Sequence, residues 1–331
     1  MTGTCDSISL EWYSSLRKCL ESAQSEAKLP PQFVYAFRFL HHPRMRHIRF
    51  ARGFVLEKDG RRAAMDGLTS QLKDVFHPMA MGVSTGGMRT GGASRGAVVD
   101  KEIEDLVNRA QVPETGTLHK YTVKTLQHLH RHRLQPFACQ VPVYDSALGI
   151  ATTLDMVCID MTVSARECRQ RSNLVNIQLK TGFENNNYRR GQGYLTSPSV
   201  RESALTRIED SHYARHQMQL LAEHMILRLR YDRLVNESRV LVISGDRHSS
   251  YPLSETFLNL HSDVYRNLSQ RKARAPWETM ADARAKQDEH RKPARASTRQ
   301  GKRAYSSAAG YSMEDAARSQ RVYKKAKELF T

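Results

Sequence analysis

Residues 150–161 read IATTLDMVCIDM, and residues 173–180 read NLVNIQLK. The first is a β-branched, apolar run long enough for a central strand, and Asp155 lies inside it. A carboxylate there is costly to bury unless it is paired or holds a metal. The second stretch alternates. Leu174, Asn176, Gln178 and Lys180 share one face, and Val175, Ile177 and Leu179 the other. If the two strands pair as a hairpin, the face carrying Gln178 and Lys180 can meet Asp155. Asp160, five residues beyond Asp155, falls on the opposite face and reads as a strand-end cap rather than a second ligand.

Working outward, Phe137–Tyr144 (FACQVPVY) alternates as a further strand. Before it, Ala97–Arg109 carries Val98, Ile103, Leu106 and Val107 at helical spacing. After it the sequence predicts a long helix over Leu205–Leu234, a buried strand at Val240–Ser244, and a helix near Glu255–Gln270. The order is helix, three strands, long helix, strand, helix. This is an α/β protein with a mixed central sheet flanked by helices. Residues 1–80 read as a mainly helical N-terminal region with a short hairpin around Lys58-Asp59-Gly60. The glycines of Met81–Gly96 argue against regular structure. The core therefore spans 90–270.

Residues 271–331 hold 16 Lys and Arg against 7 Asp and Glu, about half of the chain's net charge of +17. The run RKPARASTRQGKR at 291–303 has almost no large apolar side chains, so it predicts a basic, largely disordered tail. Such a tail serves as a nucleic-acid tether, as a nuclear import signal, or merely as a solvated end. A balance this basic favours polyanionic partners, because neutralising phosphates releases counterions. Five cysteines without a Cys-x-x-Cys pair predict neither a disulfide framework nor a cysteine-built metal site. The expected compartment is intracellular and reducing. No apolar run is long enough to span a membrane.

Thr153-Leu154-Asp155-Met156-Val157, followed by Val175 to Thr181 with Gln178-Leu179-Lys180, resembles the core motif of the PD-(D/E)XK nuclease superfamily. There one strand carries Asp, and the next carries an acid, any residue, then Lys. Gly96-Ala97-Val98-Val99-Asp100 resembles the first core helix of the RecB-like, lambda-type exonuclease branch. Gln219-Leu220-Leu221-Ala222 resembles that branch's Gln-containing helix. The resemblance covers roughly residues 90–270 and implies a restriction-endonuclease-like core. It implies that Asp155 is the main metal ligand, that Gln178 supplies a side-chain oxygen, and that Lys180 activates water. Asp100 or Glu102 would complete the shell, and Gln219 would position the lysine or a phosphate. With all-oxygen ligands the metal would be Mg²⁺ or Mn²⁺. Gln178 departs from the family's second acid, although some active relatives also carry Gln there.

The implied activity is metal-dependent hydrolysis of DNA, exonuclease-like, in repair, recombination or replication; RNA is also compatible with the motif. Its rival is a nuclease-fold protein that binds nucleic acid without cutting it. Arg189, Arg190 and Arg201 are expected to grip phosphates. His212 and His216 have zinc-like spacing but no third ligand, and read as helix-surface histidines. In a nuclease, both would contact phosphate near Tyr213 and Arg215. His128, His130 and His132 read as a solvated helix end, or else a basic DNA-facing patch. Gly86-Gly87 and Gly91-Gly92 lack the Gly-Lys-Ser/Thr of a P-loop, and there is no Gly-x-Ser-x-Gly nucleophile motif.

Overall fold

The computed structural model describes residues 11–50, 54–76, 89–111, 118–182, 188–189, 191–194, 208–245, 247–269 and 278–279. Met1–Asp59 and Ala63–Pro276 form one compact unit, and Gly60–Arg62 with Trp277–Thr331 form another. In the second, Glu278 pairs with Arg62 and Thr279 with Arg61. The expected disordered tail otherwise lies outside the described residues.

The large unit opens with helices α1 (Glu11–Ser22) and α2 (Pro31–Leu40). Pro31 starts α2 at a position where a missing N–H costs nothing. Strands β1 (Ile48–Phe50), β2 (Phe54–Lys58) and β3 (Arg61–Gly67) follow, then α3 (Leu68–Phe76). Asp59 and Gly60, between β2 and β3, have φ of 51° and 71°, the left-handed values that a two-residue hairpin turn requires.

Helix α4 spans Arg89–Arg109. It starts eight residues before the predicted Ala97, so Gly91, Gly92 and Gly96 are helical. Each glycine costs about 1 kcal/mol relative to alanine, which the packing of Val99, Ile103 and Val107 offsets. Helix α5 (Lys120–Arg131) leads into β4 (Leu134–Asp145), β5 (Ile150–Asp160) and β6 (Leu174–Thr181). The short strands β7 (Gly191–Tyr194) and β8 (Glu209–Ser211) pair with each other. Helix α6 covers His212–Arg230, shorter than the predicted 205–234, because the Ser211 hydroxyl caps it by accepting from Ala214 N–H at 3.1 Å. Strand β9 (Val235–Ser244), a strand β10 (Arg247–Pro252) that its polar sequence concealed, and helices α7 (Glu255–Leu258) and α8 (His261–Ser269) complete the unit.

The sheet is mixed. β5 pairs antiparallel with β4 from Ile150 to Asp160 and with β6 from Met156 to Ile159. β6 runs parallel to β9, and β9 antiparallel to β10. Because β4 occupies one edge of β5 throughout, β6 and β3 must share the other. β3 meets it only at Ile150 and Ala151, β6 only from Met156 onward. Residues 152–155 therefore line a fork on that edge.

One face of the sheet packs on α1, α2, α3, α6 and α8 through Leu20, Phe39, Leu68, Phe137, Leu221 and Val264. The opposite face packs on α4 and α5 through Ile103, Val107, Tyr121, Leu129, Val175 and Ile177. Strict alternation would put Leu154 and Met156 on one face, yet Leu154 joins the first core and Met156 the second. The side-chain facing of β5 changes at Asp155. Across from it, between the pairs Val141–Leu154 and Cys139–Met156, Gln140 takes a left-handed φ of 51°, an irregularity that re-aims side chains as a bulge does.

Candidate functional site at the strand fork

Asp155 fills the fork. Its Oδ2 accepts the backbone N–H of Leu179 at 2.9 Å, replacing the ladder bond lost where β5 and β6 part. Lys180 Nζ stands 3.8 Å from the same oxygen, and both side chains are 21% exposed, so water and ions can reach the pair. Gln178 and Lys180 share a face of β6, as period two dictates. Gly182 follows the strand with φ of 90°, a left-handed value that favours glycine, and a Cβ there would lie 2.8 Å from the mobile end of Arg95.

Two further carboxyls, on helices packed against opposite faces of the sheet, feel the charge of Asp155. Asp100 comes from α4. Burial, with repulsion from Asp155, pushes its carboxyl up to about 7, and Lys180 opposes the rise. Glu223 comes from α6, where it is the helix's one acid. It is 1% exposed, and burial, then the Asp155 charge, raise it to about 7. Burial also raises Asp155, against the pull of Lys180 and the Leu179 amide. Three acids thus sense one ammonium, and the cluster is short of positive charge.

Glu223 organises the amides around it. Asn176 Nδ2 donates to its Oε2 at 3.2 Å, Gln178 Nε2 to its Oε1 at 3.4 Å, and Gln219 Nε2 to the same Oε1 at 2.9 Å. With the amide nitrogens spent on Glu223, Gln178 Oε1 and Asn176 Oδ1 remain buried and unpartnered. Sequence reasoning named Gln219 and missed Glu223 one turn later. An acid inside LLAEHMIL is the same signal that marked Asp155 in its strand.

The remaining expected residues divide. Glu102 turns away from the cluster. Its carboxylate accepts His119 N–H at 2.9 Å and the Thr122 hydroxyl, capping the start of α5. Arg215 is held by Asp210 in two bonds of 2.6 Å, so its guanidinium is already engaged. Arg189 lies over the rings of Tyr213 and Tyr251. Arg190 and Arg201 lie outside the described residues. His212 is exposed, but His216 is half-buried with its ring stacked on Tyr188; burial and the nearby Lys180 hold its pKa well below the usual histidine range. His128 is buried rather than part of a solvated helix end. It packs against His132 and His248 because the last turn of α5 closes onto β10. Asp160 caps the turn after β5 by accepting from Thr162 N–H at 2.8 Å.

No family model and no curated protein matches the chain. Among solved structures it is similar to the crystal structure of SSO0001, at 13% identity over 63% of this chain and 87% of that one, with a TM-score of 0.21. A likeness of that size carries no argument about fold or chemistry. Among the described residues no helix is long and apolar enough to cross a membrane. Among the same residues no three His, Cys, Asp or Glu side chains converge so as to hold a metal ion by themselves.

Proposed function

We propose that this chain is a metal-dependent DNA nuclease of the PD-(D/E)XK class, exonuclease-like, with its reaction centre at the strand fork. The observation that carries the reading is the approach of Lys180 to Asp155 where β5 and β6 separate, with the buried carboxyls of Asp100 and Glu223 sensing both charges. A helix, three strands, a helix and a strand parallel to the third agree with a restriction-endonuclease-like core. The net charge of +17 suits a nucleic-acid substrate.

The residues fit a hard divalent cation, because the cluster offers oxygen donors, sets three acids against the Lys180 ammonium, and leaves Gln178 Oε1 buried without a partner. Asp155, Asp100 and the Gln178 oxygen would hold Mg²⁺ or Mn²⁺, which when bound supplies Lewis-acid activation of water and of a phosphoryl oxygen. Glu223 and Gln219 act through the amide, fixing which of its ends faces the site. Lys180 donates hydrogen bonds to the attacking water or to a non-bridging phosphate oxygen, where a pre-set cation stabilises developing charge.

The test is incubation of end-labelled linear and closed circular DNA with Mg²⁺, Mn²⁺ or EDTA, wild type beside Lys180→Ala. Metal-dependent loss of DNA in the wild type alone supports the reading; equal cleavage by the variant overturns it. One observation favours a second reading, a nuclease-fold protein that binds nucleic acid without cutting it. Gln178 places a neutral amide where the motif's second acid would be. A chain of that kind binds DNA but shows no Asp155-dependent uptake of Mn²⁺.

A further inference from the structure

On the face of the sheet that carries Gln178, a cross-strand row runs from Gln178 through Val240 of β9 to Tyr251 of β10. Cross-strand partners point to the same side, so Tyr251 stands two strands, about 10 Å, from Gln178. Around it lies an aromatic group. Tyr188 stacks on Tyr251 with ring centroids 5.4 Å apart, and Tyr213 meets both rings edge-on at 6.0 and 5.6 Å. Tyr188 also stacks on His216, whose Nδ1 lies 3.1 Å from the tyrosine hydroxyl and whose ring senses Lys180. A continuous run of rings thus leads from His216 through Tyr188 to Tyr251 and a surface ledge. On the ledge sits Arg189, its guanidinium 4.8 Å from the Tyr251 centroid and 5.1 Å from that of Tyr213. Tyr188 is buried, Tyr213 and Tyr251 are half-buried, and Arg189 is exposed.

Charge alone does not need this arrangement. An arginine that only attracts phosphate needs no ring contact, whereas the guanidinium of Arg189 lies over two rings. Planar cations and aromatic faces together are what unpaired nucleobases stack on. A base in the interior of a duplex has both faces covered by its neighbours, so such a ledge favours a strand whose bases are free.

We propose that Arg189, with Tyr251 and Tyr213 beneath it, is a stacking site for one unpaired nucleobase of the substrate strand, which makes the preferred substrate single-stranded or frayed. This inference rests on the nuclease reading of the fork for its biological meaning, but it concerns separate residues.

The experiment measures binding of fluorescein-labelled oligothymidylate and of an abasic deoxyribose-phosphate oligomer of equal length, by anisotropy in EDTA. Wild type, Arg189→Lys and Tyr251→Phe are compared. The wild type should prefer the base-bearing strand by about tenfold, the scale of one stacked base. Arg189→Lys keeps the charge and loses the plane, so the two affinities should converge. Tyr251→Phe keeps the ring and should retain the preference. Equal binding of both oligomers by the wild type, or a preference undiminished in Arg189→Lys, overturns the proposal. A parallel cleavage assay separates the two readings. Base preference without Asp155-dependent cleavage removes the nuclease and leaves the stacking site; Asp155-dependent cleavage without base preference does the reverse.

Discussion

Asp155 Oδ2 takes the backbone N–H of Leu179 at 2.9 Å, while Lys180 Nζ stays at 3.8 Å from the same atom. The amide therefore fixes the carboxylate, and the lysine remains free to engage something else. Asp155→Asn can keep the backbone bond through its side-chain oxygen while losing the charge. It should fold with an unchanged or slightly raised Tm and lose cleavage by at least about 100-fold. Lys180→Met should lose activity on the same scale. Thermal melts run beside a gel-based cleavage assay check both, and a variant that cuts like the wild type would remove the fork from the chemistry.

Glu223 gives a pH signature. Its carboxyl is raised from 4.5 to about 7 in the folded chain. The folded state therefore binds the proton more tightly than the unfolded one between these values. Stability from this group is fully present below about pH 4.5 and is lost as pH rises through about 7. Urea denaturation in EDTA across pH 5–8 should show that decline, and Glu223→Gln should flatten it. A slope unchanged in Glu223→Gln would mean other groups set it. Asp100, raised from 3.8 to about 7 by burial, adds a slope of the same sign.

Asp100 and Glu102 are separable by experiment. Asp100 faces the acid cluster, whereas Glu102 holds the N-terminal turn of α5. Asp100→Asn should weaken Mn²⁺ binding in calorimetry with little change in fold. Glu102→Ala should leave Mn²⁺ binding intact and cost about 1 kcal/mol of stability, the scale of a lost cap. The opposite assignment of the two effects would return Glu102 to the metal shell.

Gly182→Ala tests the exit of β6. A left-handed backbone costs an L-residue about 1–2 kcal/mol, and the new methyl would displace Arg95, whose Nη2 lies 2.8 Å from its position. Stability should fall by about the backbone cost in chemical denaturation, since the arginine end can swing aside. A neutral result would mean that the turn relaxes freely.

The parts legible in the sequence were those governed by local period. The apolar run of β5 and the alternation of β6 gave the strands, and the two-residue spacing gave Gln178 and Lys180 a common face. What local rules could not carry was set by tertiary packing. Glycines at 91, 92 and 96 mask the first turns of α4, since propensity is overridden once Val99 and Ile103 dock. β10 reads RHSSYP and has no apolar alternation to reveal it. Glu223 lies in an apolar run, as Asp155 does, but its partners, the buried amides of Asn176 and Gln178, come from a distant strand. Glu102 and Asp100 are two residues apart on one helix, and nothing local says which of them turns toward the sheet.

The change of facing at Asp155 makes chain length at this point a matter of single residues. Upstream, Leu154 belongs to one core; downstream, Met156 belongs to the other. One residue added between Ala151 and Met156 would invert the side chains on one flank, exchanging apolar groups between the two cores. One removed would draw Asp155 out of reach of the Leu179 amide. A surface loop can absorb an extra residue without moving either core, but the fork is the reference mark from which the two halves of the large unit are measured.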